Sequence, residues 1–321
     1  MSGGRSVVVA VLTYRRVEEL LRLLPELVRQ SGLVDPPARV LVVDNDPAAG
    51  ARAAVAAAGL DRVGYVDEAV PGIAAARNRA LDEAAGADVL VFVDDDEHPS
   101  ERWLEHMLAT SEAHPDAAAV VGPVRSEYAR EPSAWVQAGR FFDRRRLPTG
   151  TPVEVAATNN LLLDLHAVRR LGVRFDAAFG LSGGSDTLFT RQLSARGGRM
   201  VWCAEAMVVD RVPPDRSTAA WVLRRALRGG NSWSRTSLEL ARDGAARRRL
   251  RVALVAEGAG RLLVGLGRAG YGGLTRSPVH QARGLRLVAR GGGMLTGAVG
   301  HTYSEYRRPR ARRDRGRGVA S

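Results

Sequence analysis

Over the first two hundred residues, short β-branched runs alternate with amphipathic stretches, the pattern of strands joined by crossover helices. Residues 7–12 are wholly apolar and read as a first strand, and Val17, Leu20, Leu21, Leu24, Leu27 and Val28 follow at helical spacing. A second strand at 40–43 runs into Asp44-Asn45-Asp46. A helix from about residue 48 to 58, a short strand at 63–66 and a helix at 72–85 come next. Residues 89–93 are apolar throughout, as in a strand buried on both faces of a parallel sheet, and lead directly into Asp94-Asp95-Asp96-Glu97. Each of these strands ends in polar residues. Open α/β sheets bind ligands beyond the carboxyl ends of their strands, so Thr13, Asp44 and the Asp94 run should meet in one crevice.

After a helix carrying Trp103, Leu104, Met107 and Leu108, the pattern loosens between residues 122 and 152 into a Pro- and Arg-rich connection. A strand at 153–163, a helix at 186–195 and a strand at 200–209 follow. From residue 217 onward the chain reads as helical and basic, with Leu250, Leu254, Leu262 and Leu266 on one stripe. The fold class is therefore α/β: a Rossmann-like, mostly parallel sheet flanked by helices, followed by a basic helical extension. The expected division is a catalytic unit at 1–215, the extension at 216–305 and an arginine-rich, disordered tail at 306–321.

Composition sharpens this picture at three points. A 45% hydrophobic content in 321 residues supplies a large core and excludes a chain disordered throughout. Cys203 is the single cysteine, which excludes an internal disulfide framework and a cysteine-based zinc site. The net charge of +12 is unevenly spread: residues 211–321 carry 24 Arg and six acids, whereas the first 210 residues carry 23 Arg and 29 acids. The half with the strand-end motifs is thus acidic, and no helix-turn-helix, RNP or zinc-finger pattern accompanies the basic half, which argues against nucleic acid as a partner. No run of about 18 apolar residues marks a membrane span, and residues 7–12 are too short for a signal sequence. A cytoplasmic location is expected, with the basic third available to an anionic membrane surface.

Asp94, Asp95 and Asp96 at a strand exit can place carboxylate oxygens on Mg²⁺ or Mn²⁺, and such an ion bridges to phosphate. The alternative is a solvated acidic turn, in which four consecutive acids repel one another without a cation among them. Glu97 would then favour the start of the next helix. A second cluster, Phe179-Gly180-Leu181-Ser182-Gly183-Gly184-Ser185-Asp186, feeds a glycine-rich loop into a helix. Asp186 is either a carboxylate facing a substrate or an N-cap. Asn159 and Asn160 are further candidates for a sugar or phosphate. Four of the six histidines, His98, His106, His114 and His166, show no metal-like pairing, and Trp202 and Trp221 read as core.

The order Val7-Val8-Val9-Ala10-Val11-Leu12-Thr13-Tyr14-Arg15, Val42-Val43-Asp44-Asn45, Pro71-Gly72-Ile73-Ala74-Ala75-Ala76-Arg77-Asn78 and Phe92-Val93-Asp94-Asp95-Asp96 resembles the family 2 glycosyltransferases over roughly residues 5 to 235. The resemblance implies a GT-A fold and an inverting, metal-dependent transfer from a UDP-, GDP- or TDP-sugar to a sugar, lipid-linked or small-molecule acceptor, with Mn²⁺ or Mg²⁺ as cofactor. It assigns Thr13 and Asp44 to the nucleoside, Arg77 to the vicinity of the nucleotide, Asp94 to the ribose, Asp96 to the metal and Asp186 to the role of catalytic base. Asp95 is grouped with the donor-binding residues, although its side chain is expected to turn away. Thr13 and Asp44 read alone could equally be turn residues, and Arg77 could pair with Glu68. Two departures stand out: Ser185 replaces the family's Glu before Asp186, and Asp210 stands where many relatives have histidine, which leaves its partner open between metal, acceptor and Arg211. A nucleotidyltransferase also uses paired aspartates and a metal. It would carry a glycine-rich basic loop after the first strand, which Thr13-Tyr14-Arg15-Arg16 is not.

Overall fold

Residues 4–303 are described by a computed structural model, in which the apolar runs of the first half become strands. β1 (Val7–Thr13), β2 (Arg39–Asp44), β3 (Val63–Asp67) and β4 (Val89–Asp94) are parallel, side by side in the order β3-β2-β1-β4. They are linked by α1 (Val17–Ser31), α2 (Arg52–Ala57) and α3 (Ile73–Glu83). Side chains alternate along a strand, so β1 feeds two cores. Val9 and Val11 pack with Leu20, Leu24 and Leu27 of α1, while Val8 and Ala10 pack with Ala76 and Ala80 of α3. That is why β1 and β4 are apolar without alternation. The helix expected at 48–58 is cut to Arg52–Ala57, because the Asp44 carboxylate accepts hydrogen bonds from the amides of Asp46 (2.9 Å) and Ala51 (3.0 Å) and holds the residues between in a turn.

The second half departs further from the expected elements. β5 (Glu97–Pro99), α4 (Trp103–Ala113), β6 (Ala117–Val121), β7 (Val124–Tyr128), α5 (Ala134–Gly139), β8 (Pro152–Val153), β9 (Asn160–Asp164), α6 (Leu165–Leu171), α7 (Ser185–Ala195), β10 (Arg199–Trp202) and β11 (Val208–Val212) follow in order. The main sheet continues from β4 through β9, β6, β10 and β8, with β9 antiparallel to both of its neighbours. A small sheet has the order β5-β11-β7. The strand expected at 153–163 is interrupted, since the Ala156 amide bonds to Thr190 Oγ1 of α7 instead of to a strand. The strand expected at 200–209 is likewise two: β10 lies between β6 and β8 in the main sheet, and after residues 203–207 the chain enters the small sheet as β11. Glu97 does not start a helix. It lies in β5 opposite Asp210 of β11, and α4 begins only at Trp103. The connection expected to be loose at 122–152 contains β7 and α5.

Three helices complete the described chain: α8 (Ala219–Glu239), α9 (Gly244–Leu274) and α10 (Pro278–Ala298), N-capped by the side chains of Thr218, Asp243 and Ser277. Gly258 and Gly265 of α9, seven residues apart, meet Gly291 and Gly284 of α10. On α10, a Cβ at Gly293 would lie 1.9 Å from the Leu227 carbonyl oxygen of α8, so the glycines of this region allow close helix contact. The expected leucine stripe is split by this packing: Leu254 is 3% exposed and Leu266 57%. Among the described residues no helix is long and apolar enough to cross a membrane. Residues 304 and 305 of the expected extension, and the tail at 306–321, lie outside the described residues.

Candidate active site

Parallel register aligns the strand ends, with Thr13 of β1 opposite Asp44 of β2 and Leu12 opposite Asp94 of β4. Motifs some eighty residues apart in sequence thereby share one sheet edge. The Asn45 side chain extends that edge to α3 and α7. It donates to the carbonyls of Glu68 (2.9 Å) and Val70 (2.8 Å) and accepts from the Gly72 amide (2.9 Å). Gly72 has φ +121°, a conformation that disfavours any residue with a Cβ, and it packs on the Gly180 backbone. The Ile73 amide then donates to the Gly180 carbonyl at 3.2 Å. Through this contact the start of α3 touches the loop that leads into α7.

Arg77 consequently turns inward, away from Glu68. It is 8% exposed, donates to Ser185 Oγ at 2.7 Å and lies over the Phe175 ring at 5.5 Å. Asn78 is structural, with its amide bonded to both the carbonyl and the amide of Phe175. Ser185, where the family has Glu, is therefore the hydroxyl that receives Arg77. The Asp94 carboxyl is pushed up to about 7, chiefly by burial. The Arg77 charge opposes that rise, and Asp96, Asp95 and Asp186 add to it. Asp186 thus lies within electrostatic reach of Asp94. It is the second residue of α7 and not the N-cap, which is Gly184 in a left-handed conformation. Asp186 Oδ1 accepts from the Thr187 amide at 2.7 Å.

Asp95 is buried against the end of β1: one oxygen accepts from Thr13 Oγ1 at 2.8 Å and the other from Arg16 at 3.0 Å. Burial raises it to about 6 against the pull of Arg16 and of the Thr13 hydroxyl. Arg16 also donates to Asp96 at 2.7 Å, and Arg216 reaches the same oxygen at 3.5 Å. Asp44 is fully buried and, besides its two amides, accepts from the Tyr65 hydroxyl at 2.8 Å. Glu97 is buried beneath the cluster, with one oxygen on the Asn159 amide and the other without a hydrogen-bond partner. Burial, and after it the Asp94 charge, hold its carboxyl well above the usual range.

Asn160 leaves the set of candidates. Its oxygen accepts from Trp103 Nε1 at 2.8 Å and its nitrogen donates to the carbonyls of Pro123 and Ala206, so the amide is spent on joining three segments. Asp210 and Arg211 face opposite sides of β11. Asp210 bonds to Arg144 at 3.4 Å, while Arg211 lines a 390 Å³ groove with His98, Glu127, Tyr128 and Val209 that holds none of the candidate residues. Among the described residues no group of three or more His, Cys, Asp or Glu is arranged to hold a metal. A divalent ion here would rest on Asp96, 26% exposed, and take its remaining ligands from phosphate and water. Mg²⁺ is commonly bound in that way, and the donor set fits. Sequence reasoning missed Arg16 and Arg216, the two guanidiniums on Asp96. Nothing in its spacing sets Arg16 apart from Arg15, and Arg216 follows the last strand with no motif around it.

The sequence matches the family model described as "Glycosyl transferase family 2" over residues 8–172. It is 35% identical over 240 residues to the succinoglycan biosynthesis protein ExoM of Rhizobium meliloti (strain 1021), covering 73% of this chain and 75% of that one. The fold is similar to that of the mannosyltransferase PcManGT from Pyrobaculum calidifontis in complex with GDP-Man and Mn²⁺. That likeness has a TM-score of 0.59 and 20% identity over 92% of this chain and 88% of the other. It is also similar to S. aureus TarS 1–349 in complex with UDP, with a TM-score of 0.51 and 15% identity over 93% of each chain. The family match includes Thr13, Asp44, Arg77 and Asp94 to Asp96, and it ends before Asp186.

Proposed function

Since this chain belongs to the family 2 glycosyltransferases, we propose that it is an inverting, metal-assisted enzyme that moves a sugar from a nucleoside diphosphate sugar to an acceptor hydroxyl in surface-polysaccharide synthesis. The observation that carries this reading is the convergence of Asp94, Arg77 and Asp186: Arg77 bonds to Ser185, the residue before Asp186, and its charge acts on Asp94. The Asp186 carboxylate takes the proton from the acceptor hydroxyl as its oxygen attacks the anomeric carbon opposite the nucleotide. The bond from that carbon to the diphosphate oxygen breaks, and the configuration inverts. Asp94 is assigned to the ribose, Thr13 and Asp44 to the nucleoside, and Asp95 acts through Thr13 and Arg16, which it holds. Asp96 would hold Mn²⁺ or Mg²⁺, whose positive charge offsets that of the departing diphosphate. Arg77 is a second positive charge beside the same path.

Residues 1–215 form the catalytic unit in this reading, and the helical extension at 216–305 brings it to a membrane-borne acceptor. An exposed apolar stripe on α9, beside many arginines, supports that second part. The synthesis of succinoglycan by ExoM, the GDP-Man of PcManGT and the UDP of TarS are properties of those proteins, and they motivate the choice of donors to test. The experiment is a turnover screen of UDP-, GDP- and TDP-sugars with Mn²⁺ or with EDTA, reading donor loss and, by NMR, the anomeric configuration of the released or transferred sugar. One donor should be consumed with Mn²⁺ and spared with EDTA, with inversion of the product. Equal turnover in EDTA would contradict the metal assignment, and a retained configuration would contradict the displacement.

A further inference from the structure

Two guanidiniums reach the same oxygen of Asp96, but they are held there differently. Arg16, just past β1, donates to Asp96 Oδ2 at 2.7 Å and from the same nitrogen to Asp95 Oδ1 at 3.0 Å. Asp95 is buried, and its other oxygen accepts from Thr13 Oγ1, so Arg16 stays tied to the end of β1 whatever becomes of Asp96. Arg216 comes from the 3-10 turn Pro214–Ser217 that joins β11 to α8, and its contact with Asp96 Oδ2 is the longer one, 3.5 Å. Among the described residues the Arg216 guanidinium has no other hydrogen-bond or ion-pair partner. A third of its side chain, 34%, is open to solvent.

A divalent ion on Asp96 repels both guanidiniums, and they respond unequally. Arg16 loses one carboxylate and keeps a buried one. Arg216 loses the only one it has. The metal that takes its place bridges to phosphate, so the next anion within reach of the freed guanidinium is the diphosphate of the donor. Guanidinium forks match phosphate oxygens, and a charge-assisted pair with them replaces the one given up.

We propose that Arg216 is a ligand of the donor's diphosphate, and that its pair with Asp96 is the metal-free arrangement, exchanged for phosphate when the metal takes the carboxylate. The inference rests on the reading of Asp96 as the metal ligand. It gives the link between β11 and α8 a part in donor binding, some forty residues beyond the end of the family match.

The test uses the full chain, Mn²⁺, whichever of UDP, GDP and TDP binds best with Mn²⁺, and the matching nucleoside. Mn²⁺ binding to the nucleotide-free protein is followed by EPR, and nucleotide and nucleoside binding in saturating Mn²⁺ by calorimetry. Arg216→Gln should bind Mn²⁺ alone more tightly than wild type, because a competitor for Asp96 is gone. The same variant should bind the nucleoside diphosphate about tenfold more weakly, the loss of one charge-assisted hydrogen bond, with nucleoside affinity and melting temperature unchanged. Arg216→Lys, which keeps the charge without the fork, should recover part of the nucleotide affinity. Tighter Mn²⁺ binding with unchanged nucleotide affinity would overturn the proposal and leave Arg216 as a competitor of the metal only. Parallel losses for Mn²⁺, nucleotide and nucleoside would overturn it in favour of a structural role, and no change in any titration would overturn it as well. Wild-type nucleotide affinity indifferent to Mn²⁺ is a separate result, which would remove the metal reading and this inference with it.

Discussion

Asp96 holds two guanidiniums, Arg16 at 2.7 Å and Arg216 at 3.5 Å, at the position where the proposed reaction requires a divalent ion. A divalent ion on Asp96 would displace these guanidiniums from its oxygen, and it would also offset the charges of Asp96, Asp95 and Asp186 that add to the burial-driven rise of the Asp94 carboxyl. Asp96→Asn removes the ionic ligand and keeps the size. Titrations of nucleoside diphosphate should show affinity enhanced by Mn²⁺ for the wild type and indifferent to Mn²⁺ for the variant, and an equal Mn²⁺ enhancement in both would contradict the assignment. Thr13, Asp44 and Asp94 were legible in the sequence because each ends an apolar run, and a parallel sheet aligns such ends. Asn160 was not, since its partners Trp103, Pro123 and Ala206 come from separate segments. Ser185 was visible only as a departure from the family pattern, and its meaning came from Arg77, 108 positions away.

At the scale of elements, the four parallel strands announced themselves through burial on both faces, which leaves an apolar run with no alternation. The small sheet did not, because β5 has three residues and β11 follows β10 after only a short excursion from the main sheet. Helical periodicity located α9 but not the face that it buries. Its buried side is built largely from glycines, so the large apolar residues were free to lie outside: Val252, Leu263, Leu266 and Leu274 are 70%, 71%, 57% and 88% exposed. Between residues 244 and 303 there are ten arginines and one acid, so a second copy of the same surface would be repelled and anionic lipid attracted. The protein should co-sediment with vesicles containing anionic lipid at low salt, and Leu263→Glu with Leu266→Glu should release it without unfolding. Equal recovery in the supernatant with and without such vesicles would count against a membrane role for α9.

Across the whole molecule, the acidic first 210 residues meet the basic remainder at the loop before Asp186, where Arg228 lies against Gly183, and at the end of β4, where Arg216 bonds to Asp96. The charge split was legible from counting, but the place where the two parts join was not, because it depends on how α8 packs. That junction makes Asp186 the most exacting test of the account. Asn at this position keeps the oxygen that accepts from the Thr187 amide, and Gly184 provides the cap, so the start of α7 does not rest on the charge. In Asp186→Asn, nucleotide affinity with Mn²⁺ and the melting temperature should match those of the wild type, while sugar transfer falls by about 10² to 10⁴, the usual cost of losing a general base. Turnover comparable to wild type with the same donor and acceptor would contradict the role of Asp186 as the base.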